Sequence, residues 1–271
     1  MKTRILLLHP MTRERLEGDP GRGTTGNEAP MGPFEKAMQA HAVKVTRPDT
    51  EVIQRFVDSY SGSLQNLYLA SVNSMPVVQK IIEAEQEGFD AVVLGNHADT
   101  GVQMARSVVR IPVIGPCEAS MAVGSFIGER FAMLTLRQQF LRILESNIRL
   151  FGLEDRFVKV KPVRWPEQAM WPFIMDAHQG RPAKFIELFE TIAMDCIKDG
   201  ADTILVPGYP FGAALSMVGY EKVAGTGVAV VDGASAALKM AETLADLHHS
   251  IGLSPTRSLM SQYQAVPEDS K

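Results

Sequence analysis

One short pattern is written twice along this chain. Gly88-Phe89-Asp90-Ala91-Val92-Val93-Leu94-Gly95-Asn96-His97 returns as Gly200-Ala201-Asp202-Thr203-Ile204-Leu205-Val206-Pro207-Gly208-Tyr209. Each copy is a Gly-x-Asp entry, an apolar strand and a small-residue turn. Each is followed by a helical stretch and a second strand, Ile111-Pro112-Val113-Ile114-Gly115 in one copy and Gly227-Val228-Ala229-Val230-Val231-Asp232 in the other. A duplicated strand–helix–strand unit points to an α/β chain of two matching lobes with a cleft between them. Asn96 and Tyr209, at equivalent strand exits, are expected to face each other across that cleft.

The rest of the chain fits this frame. Thr3-Arg4-Ile5-Leu6-Leu7-Leu8 reads as a buried parallel strand stopped at His9-Pro10. Met11 to Pro33 carries five glycines and three prolines and is too long for an ordinary connection. It is either a loop over the cleft or a plain surface loop. Phe34 to His41 is expected to be helical, Val43-Lys44-Val45 a strand, and Ser59 to Tyr68 an irregular crossing. Helices are expected over Met75–Gly88, Gly101–Val109, Glu118–Gly128, Gln138–Phe151, Pro182–Lys198 and Ala234–His249. Strands are expected over Asp90–Leu94, Val113–Ile114, Phe131–Thr135, Val158–Val163, Ile204–Val206 and Val228–Val231. Strict alternation of strand and helix argues for doubly wound parallel sheets, and such sheets bind ligands beyond the carboxyl ends of their strands. The first lobe is expected to take residues 1–116 plus 233–271, the second 117–232.

Length and composition narrow the class. With 271 residues and a net charge of −4, the chain fits two lobes of ordinary size and shows nothing that favours nucleic acid or an anionic membrane. The apolar run after Lys2 ends at Pro10, too short for a signal peptide, and no segment reaches the length of a membrane span. Cys117 and Cys196 show neither a disulfide framework nor a paired metal spacing. A reduced, cytoplasmic protein is expected.

Several segments together resemble the aspartate/glutamate racemase superfamily, closest to its hydantoin racemase branch. They are His9-Pro10, Gly88 to Gly95, Ile111 to Met121, Asp199-Gly200-Ala201-Asp202 and Val231-Asp232-Gly233, in the family's order. The resemblance implies two Rossmann-like lobes related by a pseudo-twofold axis, a cofactor-free reaction and a homo-oligomer. It also implies that one thiol removes a proton beside a carbonyl while a second returns one from the opposite face. Those thiols fall where this chain has Asn96 and Tyr209, so both are missing. Asn96 has no basic lone pair near neutral pH, and Tyr209 would need a phenol pKa far below its usual ~10.

Other groups at the strand exits offer replacements. His9, His97, Asp99 and Glu118 form a possible ligand set for a divalent metal with an open water position, which would open a cyclic amide by hydrolysis from one face. Each also has a structural reading: His97 as a hydrogen-bonding group, Asp99 as the cap of a helix starting near Thr100-Gly101, Glu118 in a first helical turn. Cys117 precedes a helix, which lowers a thiol pKa; its alternative is a small packed residue. Helix N-termini after Gly95, Gly115 and Gly208 are expected to aim N–H groups into the cleft, with hydroxyls from Thr100, Ser120 and Thr135. Tyr209 is either an acid or a wall of the pocket. Trp165 to Phe173 is read as a cover of the cleft or a subunit contact.

The leading expectation is therefore a hydrolase of a small cyclic amide, imide or (thio)hydantoin-like acid, assisted by a metal. The alternative is a cofactor-independent racemase, isomerase or decarboxylase working by proton transfer through Tyr209, Cys117 or His97. A ligand sensor without chemistry is the third reading. The substrate is a small polar carboxylate or cyclic amide in all three.

Overall fold

The computed structural model describes residues 2–13, 32–60, 64, 67–136, 138–162 and 170–256. Among these residues eight strands form two parallel sheets. The first contains β1 (Thr3–His9), β2 (Thr50–Phe56), β3 (Ala91–Leu94) and β4 (Val113–Ile114) in the order β2-β1-β3-β4. The second contains β5 (Phe131–Thr135), β6 (Phe157–Pro162), β7 (Thr203–Val206) and β8 (Ala229–Asp232) in the order β6-β5-β7-β8. The second half thus repeats the topology of the first, as the duplicated sequence requires.

The helices among the described residues are α1 (Pro33–Val45), α2 (Leu67–Gln86), α3 (Val102–Arg106), α4 (Pro116–Ile127), α5 (Leu141–Leu150), α6 (Met170–His178), α7 (Ala183–Lys198), α8 (Tyr209–Met217) and α9 (Gly233–Ile251). None is long and apolar enough to cross a membrane.

Burial on both faces explains the unbroken apolar strands. Ile5 and Leu7 of β1 pack toward Met38 and Ala42 of α1 and Ala237 and Leu238 of α9. Leu6 and Leu8 point the other way, toward Val77 and Ile81 of α2 and Val102 of α3. In the second sheet Leu134 and Ile204 join Phe185 and Phe189 of α7, while Phe131 and Met133 join Cys117 and Met121 of α4 and Leu144 of α5. Two helices cross between halves. α4 leaves the first sheet and lies on β7 and β8; α9 leaves the second and returns to β1, β3 and β4; the two pack against each other. This seam holds the carboxyl ends of the two sheets together.

Two local expectations fail. Val43-Lys44-Val45 is the last turn of α1, because Met38, His41 and Ala42 are buried at helical spacing and Val45 packs beside them. Residues 50–56 form β2, and Leu67 and Tyr68 already belong to α2, which runs through Pro76. The loop expected over Met11–Pro33 lies outside the described residues from 14 to 31, as does 163–169 of the expected cover. Beyond that gap Trp171 meets Phe34 edge-on at 6.1 Å.

Candidate functional site

His9 ends β1 and is 1% exposed. Its ring stacks on Phe56 at 4.8 Å and meets the edge of Phe34 at 5.3 Å. Nε2 lies 3.0 Å from Gln54 Oε1, and the Gln54 amide nitrogen is committed to the Glu35 carbonyl and Gln39 Oε1. An amide oxygen only accepts, so His9 donates from Nε2 and leaves Nδ1 bare. Burial draws its pKa down to about 4. The ring lies against Gly95, where any Cβ would stand 3.0 Å from His9 Cε1 and overlap Nδ1. Glycine at 95 is what lets the imidazole occupy this place.

The exit of β3 runs through an irregular turn, and α3 begins only at Val102 with Gly101 as its N-cap. No helix starts at Gly95, so that expected donor site is absent. Asn96 Nδ2 donates to Thr100 Oγ1 at 2.9 Å, while Asn96 Oδ1 has no partner. His97 is buried, lies edge-on to Phe140 with ring centroids 3.8 Å apart, and has no partner at Nε2. Desolvation alone draws its pKa down to about 3, so the imidazole is neutral at any ordinary pH. Its Cβ is 3.7 Å from the position a Cβ on Gly208 would take. The turns after β3 and β7 therefore meet, but through His97 and Gly208.

Asp99 has a left-handed backbone, φ 51°, which turns its carboxylate away from α3. It accepts from the N–H groups of Cys117 and Glu118, at 3.0 and 2.8 Å, and so caps α4. Burial and the charge of Glu118 push its carboxyl up to about 7. Glu118 closes the capping box on Gly115 N at 3.0 Å and is ion-paired with Arg106, which also bonds the Val113 carbonyl. Cys117 is fully buried, and burial together with Asp99 pushes its thiol well above the usual range. The expected lowering by the helix N-terminus is overridden. Ser120 turns its hydroxyl to the Cys117 carbonyl at 2.7 Å.

Thr135 closes β5 with a buried hydroxyl that has no partner. Tyr209 opens α8, but its ring joins the apolar cluster of Ile5, Leu7 and Ala234 and meets His41 edge-on at 5.6 Å. Its hydroxyl is buried without a partner, and burial and Asp232 raise its pKa well above the usual range. A phenol held this way is a poor acid and a poorer base.

The expected metal site is not assembled. His9 is held by Gln54, Asp99 by α4, Glu118 by Arg106, and His97 by Phe140. Among the described residues no three histidine, cysteine or acidic side chains are grouped to hold a metal ion. The exits do carry three neutral groups, Asn96 Oδ1, His97 Nε2 and Thr135 Oγ1, each buried and unpartnered; His41 Nδ1, Arg47 Nε, His178 Nδ1 and the Tyr209 hydroxyl are unpartnered as well. Unpaired polar atoms are costly inside a protein, and those that lie at the carboxyl ends of parallel strands are candidates for contact with a ligand. Sequence reasoning missed Gln54, which fixes the His9 tautomer, and Phe140, which holds the His97 ring. Gln54 sits at an inward position of β2 between Val52 and Phe56, and a polar residue there is the one signal that pointed to it.

A model of the Asp/Glu/Hydantoin racemase family matches residues 33–241. The chain is 28% identical over 213 residues to the hydantoin racemase of Pseudomonas sp. (strain NS671), covering 78% of this chain and 81% of that one. It is 31% identical over 168 residues to the hydantoin racemase of Rhizobium meliloti, covering 62% and 65%. The allantoin racemase of Klebsiella pneumoniae has the same fold, with a TM-score of 0.74 at 21% identity over 98% of this chain and 95% of that one.

Proposed function

The chain belongs to the Asp/Glu/hydantoin racemase family, and from that premise we propose a cofactor-independent isomerase acting on a small, neutral cyclic amide of the hydantoin type. His97 exchanges the proton on the ring carbon beside a carbonyl. The observation that carries this reading is the unpartnered trio Asn96 Oδ1, His97 Nε2 and Thr135 Oγ1. A ring N–H fits the Asn96 acceptor, and a ring carbonyl fits the Thr135 hydroxyl, which also stabilises the enolate when the proton leaves. The guanidinium groups of Arg13 and Arg106 are ion-paired with Glu35 and Glu118. A free amino-acid carboxylate would therefore meet no uncommitted charge from them, whereas a neutral amide needs none. Hydrolysis loses its support, since its metal ligands are engaged elsewhere and the relatives are racemases.

One observation favours a second outcome within the same chemistry. The trio holds one titratable group, not two opposed ones. Proton exchange from a single face returns the proton to the face it left, and inverts the carbon only when the ligand turns over.

The test uses single enantiomers of 5-substituted hydantoins and of allantoin in heavy water. Deuterium is expected to enter the carbon beside the carbonyl faster than the buffer rate, and faster than optical rotation decays. Chelator treatment should leave the rate unchanged, and His97→Asn should lower it at least ~100-fold. Wild-type protein that binds such a ring without exchanging its proton would end the proposal.

A further inference from the structure

The turn that carries Asn96 and His97 is neither strand nor helix, so no ladder of backbone hydrogen bonds fixes its shape. Two side-chain tethers on adjacent residues do. The Asp99 carboxylate reaches α4 and accepts from the N–H groups of Cys117 and Glu118 at 3.0 and 2.8 Å. Ala98 is held from α5, where Asn147 Nδ2 donates to the Ala98 carbonyl at 3.2 Å. The tethers converge on Cys117, whose N–H bonds Asp99 and whose sulfur hydrogen-bonds the Asn147 side chain. Because α4 follows β4 and α5 follows β5, the turn is gripped from both sheets.

Asp99 is, among the described residues, the one non-glycine with a positive φ, 51°. Glycine would hold that backbone at less cost, so conformation alone does not call for an aspartate. The side chain does. From this backbone the carboxylate reaches α4 through the space that Gly115 leaves by having no Cβ. Strain of this kind persists where the surrounding structure over-determines it, and it gathers at functional sites. Here it lies two residues from the base. Phe140 and Gly208 confine the His97 ring by contact alone, and Nε2 has no partner. The aim of Nε2 is therefore set by the backbone at 97, which the tethers at 98 and 99 hold.

We propose that Asp99 and Asn147 are positioning residues, which hold the β3 turn so that Asn96 Oδ1 and His97 Nε2 meet one bound ring. The inference rests on the reading of His97 as the base. Neither side chain needs to touch the substrate. A misplacement of about 1 Å at a reacting group costs up to ~100-fold in rate. The test follows deuterium exchange together with the His97 ring resonances in nitrogen-15 spectra, assigned as those missing from His97→Asn. Both are read in protein whose far-ultraviolet circular dichroism is native. Asp99→Gly keeps the left-handed backbone and removes its tether. It should lower kcat at least ~10-fold and move KM less than ~3-fold. Asn147→Ala, at a half-buried position on α5, should lower kcat at least ~5-fold. Asp99→Asn keeps an acceptor and tolerates the backbone, so its kcat should stay within ~3-fold of wild type. Each loss should come with shifted or broadened His97 ring signals. Wild-type kcat in both Asp99→Gly and Asn147→Ala, ring signals unmoved by either, or an Asp99→Asn as slow as Asp99→Gly would each overturn the proposal. If the wild type exchanges no proton, the reaction proposed above falls and the ring signals decide alone: unmoved signals overturn the tethers, and shifted ones uphold them.

Discussion

Moving from pH 7 to pH 5 is expected to destabilise the folded chain by about 4 kcal/mol, for reasons that separate into two opposed groups. His9 and His97 are buried and neutral, with pKa values drawn down to about 4 and about 3. In the unfolded chain each returns to an ordinary value near ~6.5 and gains a proton as the pH falls, while the folded form does not. The unfolded state binds more protons in this window, so stability falls with pH, by about 2 kcal/mol for each ring between pH 7 and 5. Half-buried His178, drawn down to about 4, acts in the same direction. Asp99 acts against them. Its carboxyl is pushed up to about 7, so the folded state holds a proton that an unfolded aspartate has lost, and acid then stabilises it by up to about 2 kcal/mol. Asp202, Glu87, Glu242 and Asp246 are lowered instead, so their contribution is lost only below about pH 4.5. Urea unfolding at half-unit pH steps, followed by far-ultraviolet circular dichroism, measures the balance. His97→Asn should reduce the loss between pH 7 and 5 to about 2 kcal/mol. Asp99→Asn should steepen it to about 6 kcal/mol over the same span. A stability that rises on acidification, or a slope unchanged by His97→Asn, would refute the burial argument.

Two further substitutions test the positions that sequence reasoning placed in the cleft. Tyr209→Phe removes a buried hydroxyl that has no partner, so it should raise stability by about 1 kcal/mol in urea melts and leave proton exchange within twofold; a large loss of exchange would restore Tyr209 as an acid. Gly115→Ala puts a methyl group into the Asp99 carboxylate, 2.5 Å from Oδ2 and closer still to Cγ, so it should cost about 2–3 kcal/mol by expelling the cap of α4. In an Asp99→Ala background the same change should cost less than 1 kcal/mol, and additive losses in that double-mutant cycle would show that the contact does not matter.

The fold was legible because its signals are local and doubled. Two Gly-x-Asp entries before apolar runs, and helical spacing in α2 and α7, name the elements without any knowledge of partners. β2 escaped because it is an edge strand with polar positions, and one of these, Gln54, is turned inward to serve His9. Val43-Lys44-Val45 misled because β-branched composition carried less weight than the buried stripe of α1. At the site, the strand exits were readable and the side-chain commitments were not. Asp99 caps α4 rather than α3 because of one left-handed residue, which no spacing announces. Glu118 meets Arg106 twelve residues earlier, through the fold of the β4 turn. Tyr209 occupies the expected backbone position but sends its ring into the first lobe's core.

A pKa drawn down to about 3 reads at first as a disqualification for a base, yet the same physics that lowers it supplies the remedy. His97 is shifted by desolvation alone, with no cation near it to add repulsion. Desolvation penalises an isolated imidazolium, and it equally strengthens the attraction between that imidazolium and an enolate formed against it. In the proposed reaction, proton transfer from ring carbon to His97 creates both charges at once, in contact, where there were none before. The penalty therefore applies to the empty site and to acid in solution, and much less to the occupied site in the act of transfer. A thiolate carries a negative charge before its substrate arrives; a neutral imidazole carries none. A cleft built this way favours a ring without charge and resists protonation between turnovers.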